Sequence, residues 1–364
     1  VGLGRLRDAA KRRREVAGAH EVAGPHEVRE DDLAAIIYTS GTTGHSKGVM
    51  LTHRNVVADA VATTRIIEIL PTDRLLSILP LAHAYECTLG FILVMYVGAS
   101  VYYLDKPPTP RVMLPALARV KPTVICSVPL VIEKIYKSQV LPTFTKRRLT
   151  RAVYGLAPAR RLLNRVAGRK LARVFGGELR NFCIGGASLA SEVELFLREA
   201  RFPYCIGYGL TEAAPLLAGS DPGHTVYRAC GRALPGIEIR IDEPDPTTGE
   251  GEIVARGPVI MQGYYRDPER TAEVLSDDGW LRTGDLGVLD ADGTLFIKGR
   301  SKNMSLGPNG ENVYPEEIEH VLYAHPKVGD VAVIGLPDRE RGERVCAVVE
   351  RAAGQDDLTF DEMV

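Results

Sequence analysis

Short apolar runs alternate with longer amphipathic stretches through the first two thirds of the chain: LAAIIYTS, VVADAVATTRIIEIL, DRLLSILP, VGASVYYL, PTVICSVP and LRNFCIGG. Strand-length runs separated by helix-length segments predict βαβ units and a largely parallel sheet. After Pro215 the period changes. GRALPGIEIRI, GEIVARG, WLRTGDLGVLD and GTLFIKG alternate over short distances and are parted by turns such as DPTTGEG and DADG, which predicts antiparallel strands ending near Arg300. Beyond them, NVYPEEIEHVLYAHPKVGDVAVIGLPD reads as a proline-started helix and a strand. The expected fold class is α/β. Residues 1–216 form a large part with mainly parallel sheets and helices, 217–301 a smaller antiparallel β subdomain, and 302–364 the start of a small α+β domain.

The stretch CTLGFILVMYVGASVYYL (Cys87–Leu104) is long enough to raise the question of a membrane span. Glycines interrupt it and no basic anchors flank it, so a buried helix running into a buried strand is expected instead. The 364 residues have room for about two domains and a sizeable core. A net charge of -1 leaves no global basic field to draw nucleic acid or an anionic membrane. RLRDAAKRRR (Arg5–Arg14) is locally basic and reads as a solvated helix end, with weak peripheral contact to the inner face of a membrane as the alternative. The six cysteines never fall in CxxC spacing and sit mostly in apolar runs, as small core residues of a reducing compartment do. That points to the cytoplasm. The chain begins at a valine with no signal-like segment before the globular pattern, so it is expected to be cropped.

The densest chemistry lies in YTSGTTGHSKGVMLTHRN (Tyr38–Asn55), between the strand-like LAAII and the helix-like VVADAVATT. Glycines permit a tight backbone whose N–H groups point inward, the Ser and Thr hydroxyls add donors, and Lys47 adds a point charge. Together they suit phosphate. The stretch is not a Walker loop, because Gly48 stands where Ser or Thr would follow the lysine.

Tyr38–Val49 resembles the phosphate-binding loop of the adenylate-forming superfamily, the acyl-CoA synthetases and their relatives, with Ser46 where many members carry proline. Further segments follow in family order. LPLAHAYE (Leu79–Glu86) is similar to the segment whose histidine, here His83, lies beside the carboxylate being activated. GGASL (Gly185–Leu189) and GYGLTEAAP (Gly207–Pro215) come next. Paired glycines let a flat base approach the backbone and Tyr208 offers an aromatic face, so adenine is expected between them. GWLRTGDLG and IKGRSKN complete the set, with Asp285 suited to the ribose hydroxyls and Arg300 to the ribose or its phosphate.

The resemblance implies a nucleotide site built from Thr39, Ser40, Gly41, Thr42, Thr43, Gly44, Lys47, Gly185, Gly186, Ala187, Tyr208, Gly209, Thr211, Asp285, Arg300 and Lys302. Lys47, His83, Thr211 and Glu212 would serve the chemistry, and Thr39 and Glu212 would hold magnesium. Lys302 matches the family's hinge between large and small domains, and LGPNGENVYPEEIE its approach to the pantetheine arm, lengthened by Pro308 and Asn309. The implied cofactors and substrates are ATP, Mg²⁺, coenzyme A and a fatty acid, which PTVICSVPLVIEKIYK (Pro122–Lys137) and NGENVYPEEIE tilt toward the long-chain acyl-CoA synthetases. Attack of the carboxylate on the ATP α-phosphate would give acyl-adenylate and pyrophosphate, and CoA thiolate would then take the acyl group. Transfer to a carrier protein, amino-acid adenylation, or nucleotide binding without catalysis are the alternatives. The family's amino-terminal portion and its carboxy-terminal adenylation lysine are expected to lie outside this chain.

Overall fold

The computed structural model describes residues 27–39, 46–146, 148–300, 305–306, 312–313, 315–323, 325, 327–338, 342–352 and 359. The basic stretch Arg5–Arg14 lies outside them, as do Pro308 and Asn309. Two strands open the fold, β1 (Leu33–Thr39) and β2 (Lys47–Thr52), paired as an antiparallel hairpin. Then come β3 (Arg74–Ser77), β4 (Ser100–Tyr103), β5 (Val124–Ser127), β6 (Asn181–Ile184) and β7 (Tyr204–Gly209), parallel in the order β4-β3-β5-β6-β7. Helices such as Pro110–Val120 and Ala157–Val174 connect them, as the alternation of apolar runs requires.

The same sheet continues beyond β7 with the opposite texture. It takes in β8 (Leu216–Gly219), β9 (Gly231–Ala233), β10 (Glu238–Asp242) and β11 (Gly251–Arg256), all antiparallel to their neighbours. The next strand, β12 (Gly263–Tyr264), leaves that sheet and pairs with β2, giving a separate three-stranded sheet β1-β2-β12. Two long strands, β13 (Leu281–Leu289) and β14 (Thr294–Arg300), complete an eleven-stranded sheet ordered β10-β11-β13-β14-β9-β8-β7-β6-β5-β3-β4. Past Arg300 the described segments are β15 (Ser305–Leu306) with β16 (Asn312–Val313), the helix Pro315–Tyr323, and the hairpin of β17 (Val328–Asp338) with β18 (Gly342–Arg351). The α/β class and the change of texture after Pro215 follow the sequence reading.

Two expectations are corrected. LAAII does not enter the parallel sheet, and its loop does not lead straight into a helix. KGVMLT intervenes as β2, because Gly48 and the alternating Val49 and Leu51 suit a hairpin partner whose inward side chains are fully buried. Secondly, Cys87–Leu104 does form a helix and then a strand, but neither is buried throughout. Met95 and Tyr96 are 61% and 59% exposed, and β4 is an edge strand with Tyr103 half exposed. Among the described residues no helix is long and apolar enough to cross a membrane.

Three hydrophobic clusters among the described residues hold the sheet, the smallest of them around Leu75, Leu89, Leu93 and Val124. On the parallel side Phe175, Phe182 and Phe202 pack edge to face, with ring centres 5.4 to 5.8 Å apart. On the other side Leu51 packs with Leu217, Ile253, Leu281 and Leu295. The helix His53–Thr64 joins the small sheet to the large one. Thr52 and Asn55 form a reciprocal cap at its start, and the Asn55 amide donates to the carbonyls of Pro258 and Ile260 at 2.7 and 2.8 Å. One turn later the buried Asp59 accepts the Leu216 backbone N–H at the start of β8, and burial pushes its carboxyl well up.

Candidate active site

The parallel strands β5, β6 and β7 all point their carboxyl ends into one cavity of about 1130 Å³, the usual place for a ligand in such a sheet. Gly185 and Gly186 extend β6 to the rim, with Gly186 at φ +85°, a conformation that glycine adopts without strain. Gly207 and Gly209 end β7. A Cβ at Gly209 would fall on the Pro215 carbonyl, which accepts the Leu210 N–H at 2.9 Å, so the turn carrying Thr211 and Glu212 closes only around glycine. Ala187 is exposed just past the rim and does not line the cavity.

Lys47 reaches the cavity from the first residue of β2, directly across from Thr39, the last residue of β1. Ser40, Gly41, Thr42, Thr43 and Gly44 fall between them and lie outside the described residues, as does Lys302. The Lys47 Nζ stands 4.6 Å from the centre of the Tyr264 ring, and among the described residues no carboxylate lies within 4 Å of it. The Tyr264 hydroxyl donates to Glu212 Oε1 at 2.8 Å. Burial, then the Glu212 charge, push this phenol up, so it stays a donor. A cation, a neutral donor and a carboxylate thus stand in a row, and Thr211 and His83 line the same cavity.

The other rim comes from the antiparallel half. Thr283, Gly284 and Arg300 line the cavity, while Asp285, 6% exposed, sits behind them. Its Oδ2 accepts the Tyr208 phenol at 2.8 Å and its Oδ1 lies 3.1 Å from Arg300 Nε. Tyr208, also 6% exposed, packs in the core below β7, and burial followed by the Asp285 charge raises its phenol well above the usual range. The structure therefore brings Tyr208, Asp285 and Arg300 together, with Arg300 alone of the three lining the cavity. The sequence reading missed Tyr264 and Glu252. Glu252 holds the rim by accepting the Gly284 N–H at 3.1 Å. Their spacing from the other motifs carries no local signal, since Tyr264 arrives through the β2–β12 pairing.

The same cavity is also lined by the aliphatic side chains of Ile66, Ile67, Leu75, Leu89, Leu93 and Val94. Cys126, Cys183 and Cys205 lie abreast on β5, β6 and β7 along its side, each a free thiol.

Against known families, residues 4–265 match the AMP-binding enzyme family and 317–364 match the AMP-binding enzyme C-terminal domain. The chain belongs to the AMP-binding enzyme family. It is 35% identical over 337 residues to the peroxisomal long chain acyl-CoA synthetase 6 of Arabidopsis thaliana, an overlap covering 84% of this chain and 46% of that protein. To 4-coumarate–CoA ligase 1 of Solanum tuberosum it is 33% identical, over 92% of this chain and 58% of that one. The ATP-bound MatB structure from Rhodopseudomonas palustris superposes with a TM-score of 0.74 at 33% identity, over 96% of this chain and 63% of MatB. The chain thus spans about half the length of the curated relatives it matches.

Proposed function

We propose that this AMP-binding family member activates a fatty acid, of long chain, with ATP and passes the acyl group to coenzyme A. The observation that carries the reading is one cavity lined by glycine-bearing strand ends, a carboxylate, a lysine with no carboxylate partner among the described residues, and a set of aliphatic side chains. The lysine and hydroxyl groups suit a polyphosphate, and the aliphatic side chains suit a hydrocarbon chain more than a second carboxylate. The relatives' names support acid–CoA ligation as the class, and the aliphatic lining supports the fatty substrate.

Within that reading Lys47, with no carboxylate partner among the described residues, attracts a phosphate oxygen. Thr211 adds a hydroxyl to the same cavity. Among the described residues no three His, Cys, Asp or Glu side chains gather as a cage for a metal ion. Glu212 still fits magnesium, because its Oε2 has no donor among the described residues and a hard cation completes its shell with phosphate and water oxygens. Thr39, at the cavity wall, would be the second protein ligand. Bound there, magnesium would offset the charge that builds on the phosphates. Asp285, held at the rim by Tyr208 and Arg300, is the acidic residue assigned to the ribose hydroxyls. Gly185 and Gly186 leave room for the base, and Tyr208 backs the site as the group that aims Asp285.

Lys47→Ala should slow acid-dependent ATP–pyrophosphate exchange by roughly 10²- to 10³-fold, the usual loss for one donor to a developing charge. The measurement is exchange driven by hexadecanoate, octanoate, 4-coumarate and malonate in parallel. Exchange preferring malonate or 4-coumarate would sink the fatty-acid assignment, and a Lys47→Ala protein at the parental rate would sink the site.

A further inference from the structure

The segment Val128–Lys137 lines the cavity only at its first residue, yet two of its side chains tie distant parts of the molecule together. The helix Pro129–Ile135 runs into the π-helical turn Tyr136–Val140. Glu133 and Lys137, four residues apart, both emerge half-buried. Glu133 Oε1 accepts the backbone N–H of Ala190 at 2.9 Å, immediately beyond the glycine loop Gly185–Leu189 and at the start of the helix Ser191–Ala200. Lys137 turns the other way. Its Nζ donates at 2.6 Å to the carbonyl of Tyr323, the last residue of the helix Pro315–Tyr323, and lies 2.9 Å from the centre of the Tyr323 ring.

Both contacts are of a directional kind. The carbonyls at a helix C-terminus lack intrahelical donors and carry partial negative charge, so an ammonium placed there is favoured twice. The aromatic face adds a third attraction. Glu133 and Glu192 from the large unit and Asp330 from β17 all act on the Lys137 charge, so the ammonium sits where the two units meet. Burial there brings its pKa down to about 8, as expected for a cation enclosed by the joint. The chain leaves the cavity at Arg300 and reaches this helix at Pro315, so the Lys137 contact ties the helix back to the large unit.

We infer that Glu133 and Lys137 form a positioning pair that docks the small unit through the end of helix Pro315–Tyr323 and connects it to the glycine loop of the nucleotide site. The connection half rests on the nucleotide reading given above, and the docking half does not. Neither residue touches the reacting groups. Their effect is on where the small unit rests when the loop is filled.

Hydrogen exchange on the intact protein, read segment by segment, tests both halves. Lys137→Met keeps the aliphatic stem and removes the charge and donors. Exchange within Pro315–Tyr323 should then quicken roughly tenfold, the scale of one charge-assisted hydrogen bond discounted for partial exposure, while β5, β6 and β7 stay unchanged. Lys137→Arg should restore it. Saturating ATP should slow exchange in Pro315–Tyr323 of the parent, and that response should vanish in Glu133→Met and return in Glu133→Gln, which still accepts the Ala190 N–H. A Lys137→Met protein with parental exchange in this helix overturns the docking, and an ATP response that survives in Glu133→Met overturns the connection. If ATP changes nothing in the parent and pyrophosphate exchange is also absent, the nucleotide reading has failed, while the Lys137→Met result still decides the docking by itself.

Discussion

Glu86 opens the π-helical turn Glu86–Ile92 with a fully buried carboxyl, and neither oxygen meets a hydrogen-bond donor among the described residues. Gly90 makes the space, since a Cβ there would come within 2.6 Å of the carboxyl carbon. Burial pushes the group up to about 7, with Ser77 near enough to oppose the shift but not to form a hydrogen bond. The sign is therefore the reverse of a paired carboxylate. Between pH 4.5 and 7 the folded chain holds a proton that the unfolded chain has released, so stability falls as pH rises through that window. The loss amounts to about 3 kcal/mol once pH exceeds 7. Glu86→Gln cannot titrate. Urea unfolding at pH 5 and pH 7.5 should show the variant gaining on the parent by an amount of that order at the higher pH, and parallel pH profiles would refute the assignment. The same scale separates two parts of the ribose corner. Tyr208→Phe keeps the ring in its core and removes only the bond to Asp285, so ATP affinity should fall by less than it does in Asp285→Asn. Equal losses in nucleotide titrations would mean that Asp285 acts only through its tyrosine partner.

At the scale of elements, the turn between β7 and β8 is the tightest constraint on the site. Gly209→Ala would press a methyl against the Pro215 carbonyl and move Thr211 and Glu212 with it. Overpacking of this kind costs about 1–3 kcal/mol, so the variant should unfold at lower denaturant and lose exchange activity beyond what its folded fraction explains. A fully active Gly209→Ala would show that the turn relaxes elsewhere. Much of this architecture is legible along the chain, for physical reasons that differ by element. The parallel strands β5 and β6 appear as VICS and NFCI because strands covered on both faces read as continuous apolar runs. The antiparallel strands appear through their turns. The strand β2 escapes because KGVMLT lies between a loop and a helix cap, and only its partner β12, more than two hundred residues on, completes its sheet. Tyr264 is hidden for the same reason. The buried Tyr208 phenol and the Lys137 contact are likewise products of tertiary pairing. The motifs named the chemistry, and long-range strand pairing decided which side chains support it.

Across the whole molecule the cavity is drawn from three parts of the structure. Gly185 and Gly207 come from the parallel half of the large sheet, Thr283 and Gly284 from the antiparallel half, and Lys47 and Tyr264 from the three-stranded sheet. A ligand in contact with all three binds the folded chain and has no site on the unfolded one. It should therefore stabilise by mass action, by about 2.7 kcal/mol at a hundredfold excess over its dissociation constant. The distribution of contacts adds a sharper expectation. If the halves unfold separately without ligand, Mg²⁺ and ATP should merge their transitions into one at higher temperature, because opening either half forfeits the bound nucleotide. Calorimetric scans of the parent and of Asp285→Asn at one ATP concentration make the comparison, with the variant showing the smaller upward shift. A shift equal in both proteins would remove Asp285 from the nucleotide contacts, and no shift in the parent at millimolar ATP would remove ATP from the cavity.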